Sequence, residues 1–456
     1  IPAWYDDLGN VYVGYDIDDV REKNKLPDDF PLQQDEDVLD TWFSSWLWPI
    51  SVFDGINNPD NKDFGYYYPT NDLVTAPEIL FFWVARMIIA GYEYKDEKPF
   101  QNVYLTGIVR DHLRRKMSKS LGNSPDPIEL MKKYGADGVR VGMLLCSPAG
   151  GDLLFDESLT EQGRNFGNKI WNAFRLVKSW TIDSAIEQPE SAKQAIEWFK
   201  HRLNAEIEEI NDLYEKFRLS DALMAVYKLF WDEFTSWYLE LIKPAYQKPI
   251  DKMTFEATMS FFDIMVKLLH PFMPFITEEL WQLMAERKDG DSLMIEKMPE
   301  EESYNEDVIE SFEVVKEIIS GIRNIRNENN IAQKESLSLK VKGEYEKQYD
   351  SSIVKMANLS SIDTTEIKIE GAVTFMIKSA EFYIELEGLV DVEEELKKLN
   401  EELEYNKGFL KSVMKKLSNE RFVNNAPEQV VGIEKKKKED AEAKIKVLEE
   451  RIASLN

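Results

Sequence analysis

The chain has 456 residues, of which 43% are hydrophobic and 12% aromatic, with a formal net charge of −28 and a single cysteine. Such a length exceeds what one hydrophobic core serves and points to about three domains of globular composition. No apolar run is long enough to span a bilayer, one cysteine excludes an internal disulfide framework, and the acidity excludes a uniformly basic nucleic-acid surface.

Residues 1–40 mix short apolar runs with acidic turns and read as a connector, with two strands around Asp7-Leu8-Gly9-Asn10. The first residue is Ile1 rather than Met and no signal peptide is present, so a start inside a larger protein is expected. Cysteine usage points to a reducing compartment, the cytoplasm, with Cys146 among apolar neighbours as a buried thiol.

From 41 to about 135, strand-like and helix-like stretches alternate. Asp72-Leu73-Val74-Thr75 reads as a strand. Pro77, with its fixed φ and missing N–H, suits the start of a helix predicted to run to Gly91. Phe100 to Gly107 reads as the next strand. Strand, helix and strand in this order predict a parallel sheet, whose ligands bind beyond the carboxyl ends of its strands. From such an end runs Arg115-Lys116-Met117-Ser118-Lys119-Ser120-Leu121-Gly122-Asn123. Lysines carry compact charges on flexible stems, serines add small donors, and glycine admits close backbone approach, all suited to a polyphosphate. Between Gly107 and Gly122 lie five basic side chains (Arg110, Arg114, Arg115, Lys116, Lys119) and one acid, Asp111. The plain alternative is a solvated basic loop. A helical pattern resumes at Pro127-Ile128-Glu129-Leu130-Met131.

Between about 160 and 300, apolar positions at helical spacing predict helices over 158–180, 191–217, 219–246, 252–269 and 274–287, punctuated by Pro244, Pro249, Pro271 and Pro274. Aromatics such as Tyr227, Phe230, Phe234 and Trp237 form a core-facing stripe. A helix over 306–328 and alternating runs at Leu337 to Val341 and Phe382 to Leu386 predict a small α+β junction. In the tail, Leu389, Val392, Leu396, Leu399, Leu403, Asn406, Leu410, Val413 and Leu417 keep a 3-4 spacing. Beyond a linker at Asn424 to Pro427, Ile445, Leu448, Ile452 and Leu455 resume it, which predicts an antiparallel coiled-coil hairpin. Residues 391–456 carry 14 basic and 15 acidic side chains, a near-neutral arm on an acidic protein. His112, His201 and His270 lie far apart and, with one cysteine, make no cysteine-rich zinc site, so no structural zinc and no other metal ligands are expected.

Lys116-Met117-Ser118-Lys119-Ser120 resembles the second signature of class I aminoacyl-tRNA synthetases. Asp40-Thr41-Trp42-Phe43-Ser44-Ser45-Trp46 is similar to a segment of the valine, isoleucine and leucine branch. The run from Ile79 to Ile88, with Phe81-Phe82-Trp83, resembles the valyl enzymes, as do Gly163-Arg164-Asn165-Phe166 and Asn168 to Ala173. Order and spacing resemble the valyl-tRNA synthetase family along the whole chain.

The resemblance implies an α/β part of a Rossmann-like catalytic domain, then an all-α helical bundle, a small α+β junction and a C-terminal antiparallel coiled coil. Its domains would be a connector after the editing insertion (1–40), the second half of the catalytic domain (41–157), an anticodon-binding bundle (158–305), the junction (306–388) and a tRNA-binding arm (389–456). It implies that valine and ATP, with Mg2+ as its substrate complex, form an adenylate that acylates tRNA(Val). Lys116 and Lys119 would be catalytic, and Lys119, Ser118 and Ser120 would bind ATP. Trp42, Ile79, Trp83 and Glu78 would form the amino-acid pocket; the alternative for the tryptophans is ordinary core. Ala76-Pro77-Glu78 departs from the family's usual Gly-x-Asp pattern, which puts that contact in question. Arg164, Lys169, Arg175, Lys435 and Lys436 are candidates for tRNA. A monomer with no membrane association is expected. The family's first signature, His-x-Gly-His, is absent, so this polypeptide alone is expected not to form the adenylate. Two alternatives stand beside this reading: an isoleucyl relative, disfavoured by the missing zinc ligands and by Gly151 to Glu157, and a non-catalytic tRNA-binding scaffold.

Overall fold

Asp6 organises the start of the chain. Its carboxylate accepts the backbone N–H of Leu8 and Asn10, each at 2.9 Å, and the Tyr12 hydroxyl at 3.0 Å. These bonds close the turn between antiparallel strands Ala3–Tyr5 and Val11–Val13, the pair expected around residues 7–10. Gln33–Gln34 pairs with the other edge of the first strand. Asp16 then caps a helix, Ile17–Asn24, that the acidic composition had hidden.

The computed structural model describes residues 1–147, 151–369, 372–385 and 392–418, and in the tail 434–438, 441–442, 445 and 449, without the side chains of 392–399 and 402. Helices dominate and the sheets are small. The described residues divide into two compact units.

The first unit comprises Ile1–Trp180, Leu203–Glu233 and Met259–Glu302. Strands Thr70–Thr75 and Phe100–Leu105 pair in parallel, with Thr75 opposite Leu105, as strand-helix-strand order predicts. The helix between them differs from expectation. It opens with a tight turn at Pro77–Ile79, widens to a π-type turn over Leu80–Val84 and becomes α-helical at Ala85–Lys95. Gly91 does not end it. A Cβ there would meet the Glu97 carbonyl at 2.7 Å and Pro99 at 2.8 Å, so this glycine serves close packing, and the left-handed Asp96 makes the stop. Val84, Met87 and Phe100 form a small core against which Trp46 and Trp83 pack.

Helices Pro127–Tyr134, Ala136–Leu145 and Glu157–Lys178 follow. The last two approach very closely. A Cβ on Gly163 would meet the Gly138 carbonyl at 2.6 Å, and one on Gly142 the Thr160 backbone N at 2.6 Å. Gly163, first residue of the Gly-Arg-Asn-Phe segment, is thus a packing residue. Phe166 beside it is fully buried, 4.5 Å from Tyr227 between ring centroids. The helices predicted downstream appear as Glu190–Glu215, Leu219–Lys228 continuing through a π-type stretch, Leu229–Tyr238, to Leu239–Ile242, then Lys252–Leu269 and Pro274–Met284.

The second unit comprises Thr181–Arg202, Phe234–Thr258 and Ser303–Asn456. Trp198 is fully buried and stacks on Phe312 at 4.1 Å, while Phe199 lies 4.9 Å from Tyr238. Phe312 belongs to helix Glu306–Glu328, the one predicted at 306–328. A four-stranded sheet follows in the order Leu359–Thr364, Leu337–Lys342, Ala380–Ile384, Val373–Ile377. The predicted strands near 337 and 382 are its central members: Leu337–Lys342 alternates strictly in burial, and Ala380–Ile384 is buried almost throughout. The two edge strands were not predicted. Arg326, fully buried, donates to the carbonyls of Ala332, Ala357 and Asn358 at 2.9–3.2 Å.

Helix Val392–Leu417 carries the tail repeat. Leu403, Asn406 and Val413 are buried on it, as the spacing predicts. Lys407 pairs with Glu449 at 2.9 Å, and Lys416 with Glu434 at 3.7 Å. Leu389, the linker at Asn424 to Pro427, and Leu448, Ile452 and Leu455 lie outside the described residues, as does Leu386 of the predicted strand.

Candidate functional site

The parallel strand pair aims two segments at one place. Thr75 and Leu105 are register partners at the carboxyl ends, where the Thr106 N–H donates to the Thr75 carbonyl at 2.8 Å. Three residues beyond Thr75 stands Glu78. Beyond Leu105 the chain enters the lysine loop, anchored by strand Val109–Arg110 pairing with Leu153–Leu154.

The loop is a hairpin built around Asp111. Its backbone exchanges bonds with Arg115 (2.9 Å) and Arg114 (2.8 Å), and Arg114 adopts a left-handed φ of 62° at the tip. The Asp111 side chain, in a residue 4% exposed, accepts from the backbone N–H of Leu113 and Arg115, from the Arg115 guanidinium and from the Asn123 amide. The Asn123 bond, followed by those of Arg115, holds this carboxyl far below the usual range. Asn123 also accepts the Ser118 N–H at 2.9 Å, so one amide ties the Asp111 hairpin to the middle of the signature. Ser118 caps the tight turn Lys119–Leu121 by accepting the Leu121 N–H at 3.2 Å, and Gly122 closes it with φ 63°. The Ser118 and Ser120 hydroxyls lie 3.1 Å apart. Met117 is half-buried, its N–H bonded to the Val109 carbonyl at 3.0 Å, which seats the loop on its strand.

The basic count of the loop overstates its free charge. Arg110 pairs with Asp152, Arg115 with Asp111, and Lys116 with Glu78. Lys119 and Arg114 make no ion pair among the described residues. The segment Gly151 to Glu157 therefore braces the loop. Asp152 neutralises Arg110, and the N–H groups of Leu153 and Phe155 bond to the carbonyls of Ile108 and Arg110, each at 3.0 Å. Asp111, Asn123 and Asp152 are site-building residues that reading for cations missed. The available signal for Asp111 and Asn123 was a carboxylate and an amide set among or beside the basic run, whereas Asp152, 42 positions from Arg110, had none.

The aromatic side of the site is equally tied. Trp83 donates its indole N–H to the Ser45 carbonyl at 3.0 Å and lies 5.6 Å from Trp48 between centroids. Trp42 stacks on Phe82 at 6.2 Å, and Arg86 covers both Trp46 and Phe82 at 5.8 Å. Ile79, half-buried, follows Glu78 in the same tight turn. The structure thus brings Lys116 to Glu78 and Trp83 to the Asp40–Trp46 segment.

The candidate RNA contacts separate into two kinds. Arg164 pairs with Glu161 at 3.3 Å and lies over Tyr134, while Lys169 sits 3.7 Å over the Trp231 ring, where burial lowers its pKa. Both are engaged in internal contacts. Arg175, exposed, instead lines an open groove of about 630 Å³ with Trp171 and Lys178. In the tail, Lys437 and Lys438 pair with Glu434 and Glu442, whereas Lys435 and Lys436 are exposed with no ion pair among the described residues.

Comparison with known proteins gives three family matches along the chain. Residues 10–156 match the family of class I tRNA synthetases (I, L, M and V), residues 197–341 the anticodon-binding domain of tRNA ligase, and residues 391–456 the valyl tRNA synthetase tRNA binding arm. The valine–tRNA ligase of Parabacteroides distasonis is 62% identical over 424 residues, covering 93% of this chain and 49% of that protein. Those of Porphyromonas gingivalis and Chlorobaculum tepidum are 54% and 37% identical, each covering 100% of this chain and 53% of the relative. The chain spans about half the length of the curated relatives it matches.

Proposed function

Because the chain belongs to the valine–tRNA ligase family, we propose that it is part of an enzyme that activates valine with ATP and transfers it to tRNA(Val). The observation that carries this reading is the meeting of the lysine loop with Glu78, one residue before Ile79 in the turn that begins the Trp83 segment.

The first step needs no general base, since the amino-acid carboxylate is already the nucleophile. Negative charge moves onto the leaving pyrophosphate. Cations placed where that charge develops lower the barrier, because they gain interaction energy as the reaction proceeds. Lys119, exposed and without an ion pair among the described residues, is the principal phosphate ligand on this reading. Lys116 assists. Ser118 and Ser120 exchange their mutual contact for phosphate oxygens. Magnesium arrives with ATP as its substrate complex. Trp42, Ile79 and Trp83 wall the side-chain pocket, and Glu78 faces the amino group or ribose.

The rest of the chain follows the same proposal. Residues 41–157 form the second half of a Rossmann-like catalytic domain after a connector at 1–40; 158–305 are the anticodon-binding bundle and 306–388 the junction. Residues 389–456 form an antiparallel coiled-coil arm. The tail pairing supports that arm: 407 with 449 and 416 with 434 run in opposite chain directions. Arg175, Lys435 and Lys436 are the cations best placed for tRNA. The enzyme works as a cytoplasmic monomer.

Replacing Lys119 with Ala in the intact ligase tests the reading. Valine-dependent ATP–pyrophosphate exchange is expected to fall by about a hundredfold, the usual cost of losing one transition-state donor, with tRNA binding retained. Unchanged exchange would favour a tRNA-binding scaffold.

A further inference from the structure

We propose that Glu78 is a positioning residue that parks Lys116 at the cleft until a substrate ammonium takes its place. This rests on the synthetase reading above and adds a coupling between the two substrate half-sites. Three observations carry it. Glu78 stands in the tight turn opening the helical run Pro77–Lys95, where the free N–H groups favour a carboxylate. The other ion-paired cations of the loop have their own acids: Arg110 has Asp152 and Arg115 has Asp111. Glu78 is thereby left to Lys116, and among the described residues this is the loop pairing that reaches the Pro77–Lys95 segment.

The pair is also reachable. The Lys116 side chain is 61% exposed and that of Glu78 is 40% exposed. Glu78 directly precedes Ile79, a residue of the proposed pocket. An α-ammonium entering that pocket offers Glu78 the same charge and the same donors as Lys116 does, and two ammonium groups crowded on one carboxylate repel each other. The exchange therefore releases Lys116, whose flexible stem then serves polyphosphate. Amino acid and nucleotide become linked: each strengthens binding of the other by one common factor. An exposed ion pair limits that factor to about two- to fivefold, and added salt reduces it.

The test uses the intact ligase. In ATP–pyrophosphate exchange, the half-saturating ATP concentration is expected to fall about two- to fivefold as valine is raised from well below to well above saturation. Glu78→Gln is expected to show the lower value at every valine concentration, with no dependence left. The same valine dependence surviving in Glu78→Gln overturns the proposal. A second measurement needs no turnover. Amine acylation read by mass spectrometry on the wild type should show Lys116 reacting faster when valine alone is added, with Lys119 as unchanged internal control. Calorimetry of valine binding separates the two readings. Valine bound with Lys116 reactivity unchanged overturns the latch and leaves the synthetase reading standing; no valine binding removes both.

Discussion

The lysine loop and the aromatic core of the second unit are held by opposite means. The loop is a frame of carboxylates, amides and hydroxyls, with Asp111, Asn123 and Ser118 each serving several bonds. Around Trp198, Phe199, Tyr238 and Phe312 the chain instead buries large rings to near-zero exposure. Burial gives a core that has one arrangement and resists change. Polar ties near solvent exchange readily with ligand groups of the same kind. On the proposed reading the loop meets phosphate and then releases it, a task served by polar ties; a scaffold is served by burial.

Five substitutions sharpen or break this contrast. Trp198→Ala removes the ring stacked on Phe312 and should cost about 3–5 kcal/mol, seen as a large shift in the denaturation midpoint. A cost under about 1 kcal/mol would mean the core tolerates the hole and is not rigid. Gly142→Val forces a Cβ against the Thr160 backbone at 2.6–2.7 Å and should cost about 1–3 kcal/mol, again by denaturation. Asp111→Asn should lower the global midpoint by less than either core change while speeding amide hydrogen exchange at Leu113, Arg115 and Ser118. Its pH counterpart has a definite sign. The folded carboxyl is held below its unfolded value, so its contribution is complete above the ordinary carboxylate range and fades only as pH falls toward the depressed value. Loop protection measured at about pH 5 should therefore match that at about pH 7; early loss would show that Asp111 is not the tie. Smallest is the pair Lys435→Ala and Lys436→Ala. Each should lower the slope of log affinity for tRNA against log salt by about one, leaving stability unchanged.

Much of the fold was legible because periodicity is local. The helices near 158–180, 252–269 and 306–328 came out within a few residues, each with an uninterrupted apolar stripe. Pro77 marked the start of its helix, but Gly91 misled as a stop, since whether a glycine ends a helix or admits a neighbour depends on what packs there. The edge strands Leu359–Thr364 and Val373–Ile377 were missed: the first is mostly polar, and the second alternates in exposure while its sequence, Val-Thr-Phe-Met-Ile, is almost wholly apolar and hides the period. The cations of the site were legible as a run of letters. Their partners were not: Glu78 lies 38 positions from Lys116 and Asp152 lies 42 from Arg110, and no local pattern announces such pairings.

The indole of Trp83, bonded to the Ser45 carbonyl and packed on the small core of Val84, Met87 and Phe100, fastens two separate stretches of chain into one panel. On the proposed reading such a panel cannot flex to suit its guest. It would turn away bulkier aliphatic side chains by collision, yet have little means of refusing one of equal size bearing a hydroxyl. Accuracy against that competitor would then depend on a second inspection carried out elsewhere.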